Sequence, residues 1–204
     1  MKEIEIKLKL IKWLMEGSNN SLILGSEFRF DFGARRADVI SLSDKLEACA
    51  YEIKSIGDSL RSLNQQCKGY KLYFDKCFVV CEKQNINMVR KNLPSHVGLL
   101  LIDGDSFKQI RKARENKMLS SAMLCSTIDT NFLRRELGER KASKVELCNM
   151  YSKKISQERL RLVSRGFLMT KIEYQFKLFL SELGQEINYD DLATLDRMPA
   201  SQLF

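Results

Sequence analysis

Two acids and a lysine stand at a spacing suited to metal-assisted hydrolysis. Asp38 lies in Arg36-Ala37-Asp38-Val39-Ile40, and Glu52 and Lys54 lie in Ala50-Tyr51-Glu52-Ile53-Lys54-Ser55. Both stretches read as short strands, because apolar and polar residues alternate between turn-like segments. Residues two apart on a strand share a face, so Glu52 and Lys54 point the same way. Asp38 precedes Glu52 by 14 residues, a separation that fits neighbouring antiparallel strands joined by a hairpin. Two carboxylates and an ammonium then converge on one patch. Such a patch can hold a hard cation, Mg²⁺ or Mn²⁺, and position a water beside it.

Positioning that patch takes a sheet and its helices. Residues 2–16 carry Ile4, Ile6, Leu8, Ile11, Leu14 and Met15 among lysines and glutamates; the later spacing is helical, while Ile4, Ile6 and Leu8 also alternate like a strand, and Gly17-Ser18-Asn19-Asn20-Ser21 stops the helix. Glu27-Phe28-Arg29-Phe30-Asp31-Phe32 alternates charge and aromatic like a half-buried strand. Turns at residues 33–36 and 43–45 complete a three-stranded meander. A helix follows to about Tyr73, with Asp58 or Ser59 as its N-cap. Cys77-Phe78-Val79-Val80-Cys81 and Val97-Gly98-Leu99-Leu100-Leu101-Ile102 are continuous apolar runs, hence buried strands, with a short helix over 87–93 between them. The order is α, β, β, β, α, β, short helix, β, an α/β core with a mixed sheet. Residues 106–118 read as a basic connector. Four helices are expected beyond it: 131–138, one opened by a Ser143…Glu146 capping box, 156–163 ended by Gly166, and 171–183.

Composition narrows the class. Six cysteines form no Cys-x-x-Cys pair and His96 is the one histidine, so a structural zinc site is disfavoured and the thiols read as small core residues. His96 stands in a loop with no nucleophile motif near it. No apolar run approaches a membrane span and no signal-peptide layout opens the chain, which predicts a cytoplasmic protein without membrane attachment. Net charge is +8, and residues 106–166 hold 15 Lys/Arg against 6 Asp/Glu. The positive excess in one later segment points to a nucleic-acid partner, against the plainer alternative of a solvated basic surface.

At Asp38…Glu52-Ile53-Lys54, inside this element order, the chain resembles the PD-(D/E)XK nuclease superfamily. Gln66-Cys67-Lys68-Gly69-Tyr70 is similar to the Q-x-x-x-Y that many members carry on the following helix. The run from Arg36-Ala37-Asp38 through Tyr51-Glu52-Ile53-Lys54-Ser55 to Phe74-Asp75 looks most like a branch of small bacterial and phage proteins with a basic helical tail; it departs at Ser62, where that branch carries arginine. The resemblance implies a restriction-endonuclease-like αβββαβ core over 1–105, followed by a helical region over 106–204. It implies Asp38, Glu52, Lys54, Gln66 and Tyr70 as catalytic residues. The carboxylates of Asp38 and Glu52, joined by the Ile53 carbonyl, would hold Mg²⁺ or Mn²⁺, and Gln66 and Tyr70 would brace Lys54 and the phosphate backbone. Glu27 is left as a metal ligand, a residue behind the ligands, or a solvent-facing strand residue.

The expected activity is metal-dependent phosphodiester hydrolysis in DNA. Arg36, Arg134, Arg135, Arg140, Lys141 and Lys144 are the candidate phosphate contacts, with 131–164 as a helix-turn-helix-like unit or as a lid on the sheet. The alternatives are a nuclease-fold protein that binds nucleic acid or a partner protein without cutting, and a helical interaction protein docking an acidic partner. Strandedness, sequence preference and oligomeric state, a homodimer included, stay open.

Overall fold

The computed structural model describes residues 1–18 and 21–196. Asn19 and Asn20 of the expected helix stop, and Met198-Pro199-Ala200-Ser201 of the expected tail, lie outside the described residues. In chain order the elements are α1 (Glu3–Gly17), β1 (Leu22–Phe30), β2 (Arg35–Ser43), β3 (Ala48–Lys54), α2 (Leu63–Lys71), β4 (Lys76–Glu82), α3 (Ile86–Asn92), β5 (Gly98–Asp103) and β6 (Ser106–Arg111). Helices α4 (Ser121–Ser126), α5 (Thr130–Leu137), α6 (Lys144–Lys154), α7 (Gln157–Glu182) and α8 (Tyr189–Asp196) follow. A 3-10 turn over Asp31–Gly33 joins β1 to β2.

The strands form one mixed sheet in the order β1-β2-β3-β4-β5-β6. The meander β1-β2-β3 is antiparallel, β3-β4-β5 is parallel, and β6 returns antiparallel. This is the α/β architecture with C-terminal helices that the periodicities predict. Central β3 is buried along its whole length, which is why Glu52 and Lys54 are drawn into a wall rather than a surface. One face of the sheet packs Ala50, Val79 and Leu99 against Leu63, Cys67 and Tyr70 of α2 and against residues of α4 to α7. The other packs Tyr51, Ile53 and Val80 against Ile6, Leu10 and Leu14 of α1. All six cysteines are free and buried, as their apolar neighbours imply.

Four expectations need correction. Residues 106–111 are a strand, not part of a connector; Phe107 packs into the α1 layer and Ile110 into the α2 layer, and Phe107 stacks on Trp13 at 5.2 Å. Helix α2 starts at Leu63, because the Asp58 carboxylate is turned back onto the Ser55 N–H and hydroxyl at 2.7 and 2.8 Å and caps no helix. Helices α4 and α8, of six and eight residues, are too short to show a helical period in the sequence. Finally, 156–163 and 171–183 belong to one 26-residue helix, α7, that runs through Gly166. A helical glycine costs only about 1 kcal/mol, and Ser164, Arg165 and Leu168, all buried around it, outweigh that.

Helix α7 passes the β1 edge from one layer to the other. Leu160, Leu168 and Ile172 belong to the first core, Phe176 and Phe179 to the second. Gly25 makes the close approach possible, since a Cβ there would stand 3.1 Å from Ile172 Cγ2. The helix thereby covers an edge strand that would otherwise offer unpaired backbone groups. Its anchor is Asp75, which accepts the Ala48 N–H at 2.8 Å and pairs with Arg161 at 2.7 Å and Arg165 at 3.2 Å. Arg165 is fully buried, with its guanidinium 4.8 Å from the centre of the Tyr73 ring. Burial pushes the Asp75 carboxyl up, but the two guanidiniums and the Ala48 N–H hold it below the usual range. No helix among the described residues is long and apolar enough to cross a membrane.

Candidate active site at the strand fork

Strands β2 and β3 pair from Leu42↔Ala48 to Val39↔Tyr51 and then part. At the next step the side chain of Asp38 replaces the lost backbone partner: Oδ2 accepts the Ile53 N–H at 2.8 Å. The β1-β2 ladder is interrupted at the same level. Ser26↔Val39 and Phe28↔Ala37 pair, while Glu27, opposite Asp38, adopts a left-handed backbone with φ 52°. Residues an even number apart should share a face. Yet Leu24 and Val39 lie in the α1 layer, whereas Phe28 and Ala37 lie in the α2 layer. Both strands therefore exchange faces at Glu27 and Asp38. A left-handed glutamate costs on the order of 1–2 kcal/mol, and the inward turn of Phe28 and Phe30 offsets it. The Ser26 hydroxyl donates to the Asp38 carbonyl at 3.1 Å and steadies the fork.

Glu52 and Lys54 stand on β3 facing α2. Lys54 Nζ donates to Glu52 Oε1 at 2.7 Å, and the Tyr70 hydroxyl binds the other oxygen of Glu52. The Arg36 carbonyl lies 3.1 Å from the same hydroxyl as a second acceptor. Glu52 is only 2% exposed, so both carboxylate oxygens are held by the protein in a nearly dry site. Burial pulls the Lys54 ammonium down, but the Glu52 carboxylate beside it, with Asp38 and Asp58, leaves its pKa above the ordinary value. Lys54 is thus a fixed cation. Asp38 behaves oppositely: burial, then the nearby Glu52 charge, pushes it up to about 7, against the pull of the Ile53 N–H.

In front of Asp38 a second acidic group assembles. Carboxylate oxygens of Glu3, Glu27 and Asp38 lie within 4.8 Å of one another. Glu27 is paired with Lys7, and Arg36 Nε lies 2.6 Å from Glu27 Oε2 without the alignment of a hydrogen bond. An all-oxygen donor set of this kind fits Mg²⁺ or Mn²⁺.

The fold thus brings together Asp38, Glu52, Ile53, Lys54, Tyr70, Arg36 and Glu27. Gln66 is half-buried and accepts from the Ser62 hydroxyl at 3.3 Å, whereas Lys54 hydrogen-bonds to Glu52. Tyr70 braces Glu52 rather than Lys54. Among the basic candidates Arg135, Arg140 and Lys141 are exposed, and Arg134 is half-buried with Nε unpartnered. Lys144 turns inward onto the Ile128 carbonyl, because its helix buries Leu147 and Cys148 in the first core.

Glu3 and Lys7 escaped the sequence reading. Their signal is faint: they continue the helical face of Leu10, Ile11 and Leu14, so a charged pair four apart leads an otherwise apolar stripe. Lys7 is 6% exposed, an unusual burial for lysine that only its carboxylate partner makes tolerable.

A family model for bacteriophage P4 protein cII matches residues 1–196. Protein cII of Enterobacteria phage P4 is 30% identical over 220 residues, covering 97% of this chain and 78% of that protein. A solved structure, the SPO1766 protein of unknown function from Silicibacter pomeroyi, aligns with 58% of this chain and 76% of its own at 21% identity and a TM-score of 0.44. Matched across nearly its whole length, the chain belongs to the bacteriophage P4 protein cII family.

Proposed function

We propose that the chain is a metal-dependent nuclease of the PD-(D/E)XK type that hydrolyses phosphodiester bonds in DNA in the cytoplasm. The observation that supports this most is the meeting of Asp38, hydrogen-bonded to the Ile53 N–H, with the Glu52–Lys54 pair of the same strand. Asp38, Glu27 and Glu3 would hold a divalent cation, which when bound would polarise the phosphoryl oxygens and acidify a water. Lys54, kept charged by Glu52, offsets negative charge building on the phosphate in the transition state. Its raised pKa suits that role better than proton abstraction. Glu52 orients Lys54, and Tyr70 orients Glu52. The exposed basic groups Arg135, Arg140 and Lys141 steer the polyanion.

A second reading has one observation in its favour. With both oxygens engaged and almost no exposure, Glu52 is not free to bind a cation as it stands. A nuclease-fold protein that binds nucleic acid without cutting would look the same. Cleavage assays on linear, circular and single-stranded DNA with Mg²⁺ or Mn²⁺ separate the two. The nuclease reading expects Asp38→Ala, Glu52→Ala and Lys54→Ala each to lose at least about 100-fold in rate; wild type no more active than Glu52→Ala sinks it.

A further inference from the structure

Beside the fork lies a cleft of about 560 Å³ between β1 and α7, closed at one end by α8. Its volume falls in the ~300–1,000 Å³ range of small-molecule sites, room for one nucleotide and not for a duplex. Glu27 and Arg36 line it, which places it against the acidic group at Asp38. Three features suit a nucleotide. Phe32, on the 3-10 turn at the rim, is 44% exposed, a bare aromatic face in a chain that buries most others. Lys171, in the α7 wall, forms no ion pair among the described residues. Burial, and then the charge of Lys144 nearby, depress its pKa against the pull of Asp129, and an incoming anion would counter the repulsion from Lys144. Gln175, 8% exposed in the same wall, leaves Oε1 without a hydrogen-bond partner.

We infer that this cleft takes one unpaired nucleotide of a single-stranded polynucleotide, with its base stacked on Phe32 and its phosphate held between Lys171 and Arg36. DNA and RNA share this chemistry. The substrate is then a single strand, or a frayed end, threaded past Glu27 toward Asp38. Stacking is tolerant of base identity, because every base offers a π-face, so no sequence preference is expected from this contact. The inference deepens the nuclease reading and rests on it only for the direction of the strand.

The test is binding, read by fluorescence anisotropy of short labelled oligodeoxyuridylate and oligouridylate with the full chain in excess chelator. Without metal, binding is scored independently of cleavage. Single strands should bind more tightly than a duplex of equal length, and the tighter of the two oligomers names the sugar. Phe32→Ala and Lys171→Glu should each weaken binding by about tenfold, while Phe32→Trp retains it. Lys12→Glu, exposed on α1, should change it by less than about twofold. The inference is overturned if duplex competes as well as single strand, or if Phe32→Ala and Lys171→Glu bind like wild type. Cleft-dependent binding without any metal-dependent cleavage would overturn the nuclease reading alone.

Discussion

The carboxylate of Asp38 stands in for a strand: its Oδ2 takes the Ile53 N–H at 2.8 Å where β2 has already left β3. The same residue is pushed up to about 7 by burial and by Glu52. An acid whose folded pKa is raised stabilises the fold fully below its unfolded pKa near 3.8, and that contribution is lost as pH rises through about 7. Asp38→Asn keeps the acceptor and removes the charge. It should raise stability at pH 8 by about 2 kcal/mol, discounted from the full shift because Glu52 shares the charge, and leave stability at pH 4 nearly unchanged. Urea unfolding at the two pH values measures this, and a destabilised variant at pH 8 refutes it.

Two ligand sets for a cation make different predictions. If Glu3, Glu27 and Asp38 hold it, Glu27→Gln and Asp38→Asn abolish Mn²⁺ binding in calorimetry, while Glu52→Gln weakens it less than about tenfold. If the Asp38–Glu52 pair holds it, Glu52→Gln is as damaging as Asp38→Asn.

Tyr70 is a brace, and its hydroxyl is buried between Glu52 and the Arg36 carbonyl. Tyr70→Phe leaves a buried carboxylate oxygen unsatisfied and should cost roughly 1–3 kcal/mol in urea midpoint experiments. Gln66→Ala, on the same helix but half-buried and bonded to the exposed Ser62 hydroxyl, should cost less than about 0.5 kcal/mol and leave cleavage intact.

The Asp75 anchor should govern docking of α7. Arg165→Met leaves Arg161 as the sole guanidinium on a buried carboxylate and should cost roughly 3 kcal/mol, read as a lower melting temperature. The acid limb follows the opposite sign from Asp38. Asp75, held below its usual range, contributes stability present above pH 4 and lost as pH falls through its folded pKa. Arg165→Met should therefore flatten the loss of stability between about pH 4 and 2.

Helix α6 opens on Ser143, whose hydroxyl accepts the Glu146 N–H at 3.3 Å while the Glu146 carboxylate takes the Ser143 N–H at 2.7 Å. Ser143→Ala should cost about 1 kcal/mol, visible in denaturant unfolding.

The capping box, the meander and the apolar strands of β4 and β5 were legible in the sequence because each is a local pattern. Alternation, a Ser-x-x-Glu spacing and a continuous apolar run need no partner to be recognised. Asp38, Glu52 and Lys54 were legible for the same reason, as spacings on predicted strands. Tertiary structure decided what those patterns could not carry. The exchange of faces at Glu27 and Asp38 breaks the period of two that sequence reading relies on. Helix α2 starts at Leu63 and not at Asp58 because the Asp58 carboxylate turns back onto Ser55. Glu3 and Lys7 joined the site because α1 lies across the fork, and Gly166 stayed helical because its neighbours are buried on the sheet. Each is a long-range packing energy overriding a local preference worth about 1 kcal/mol, and such a balance is settled only when the distant surfaces meet.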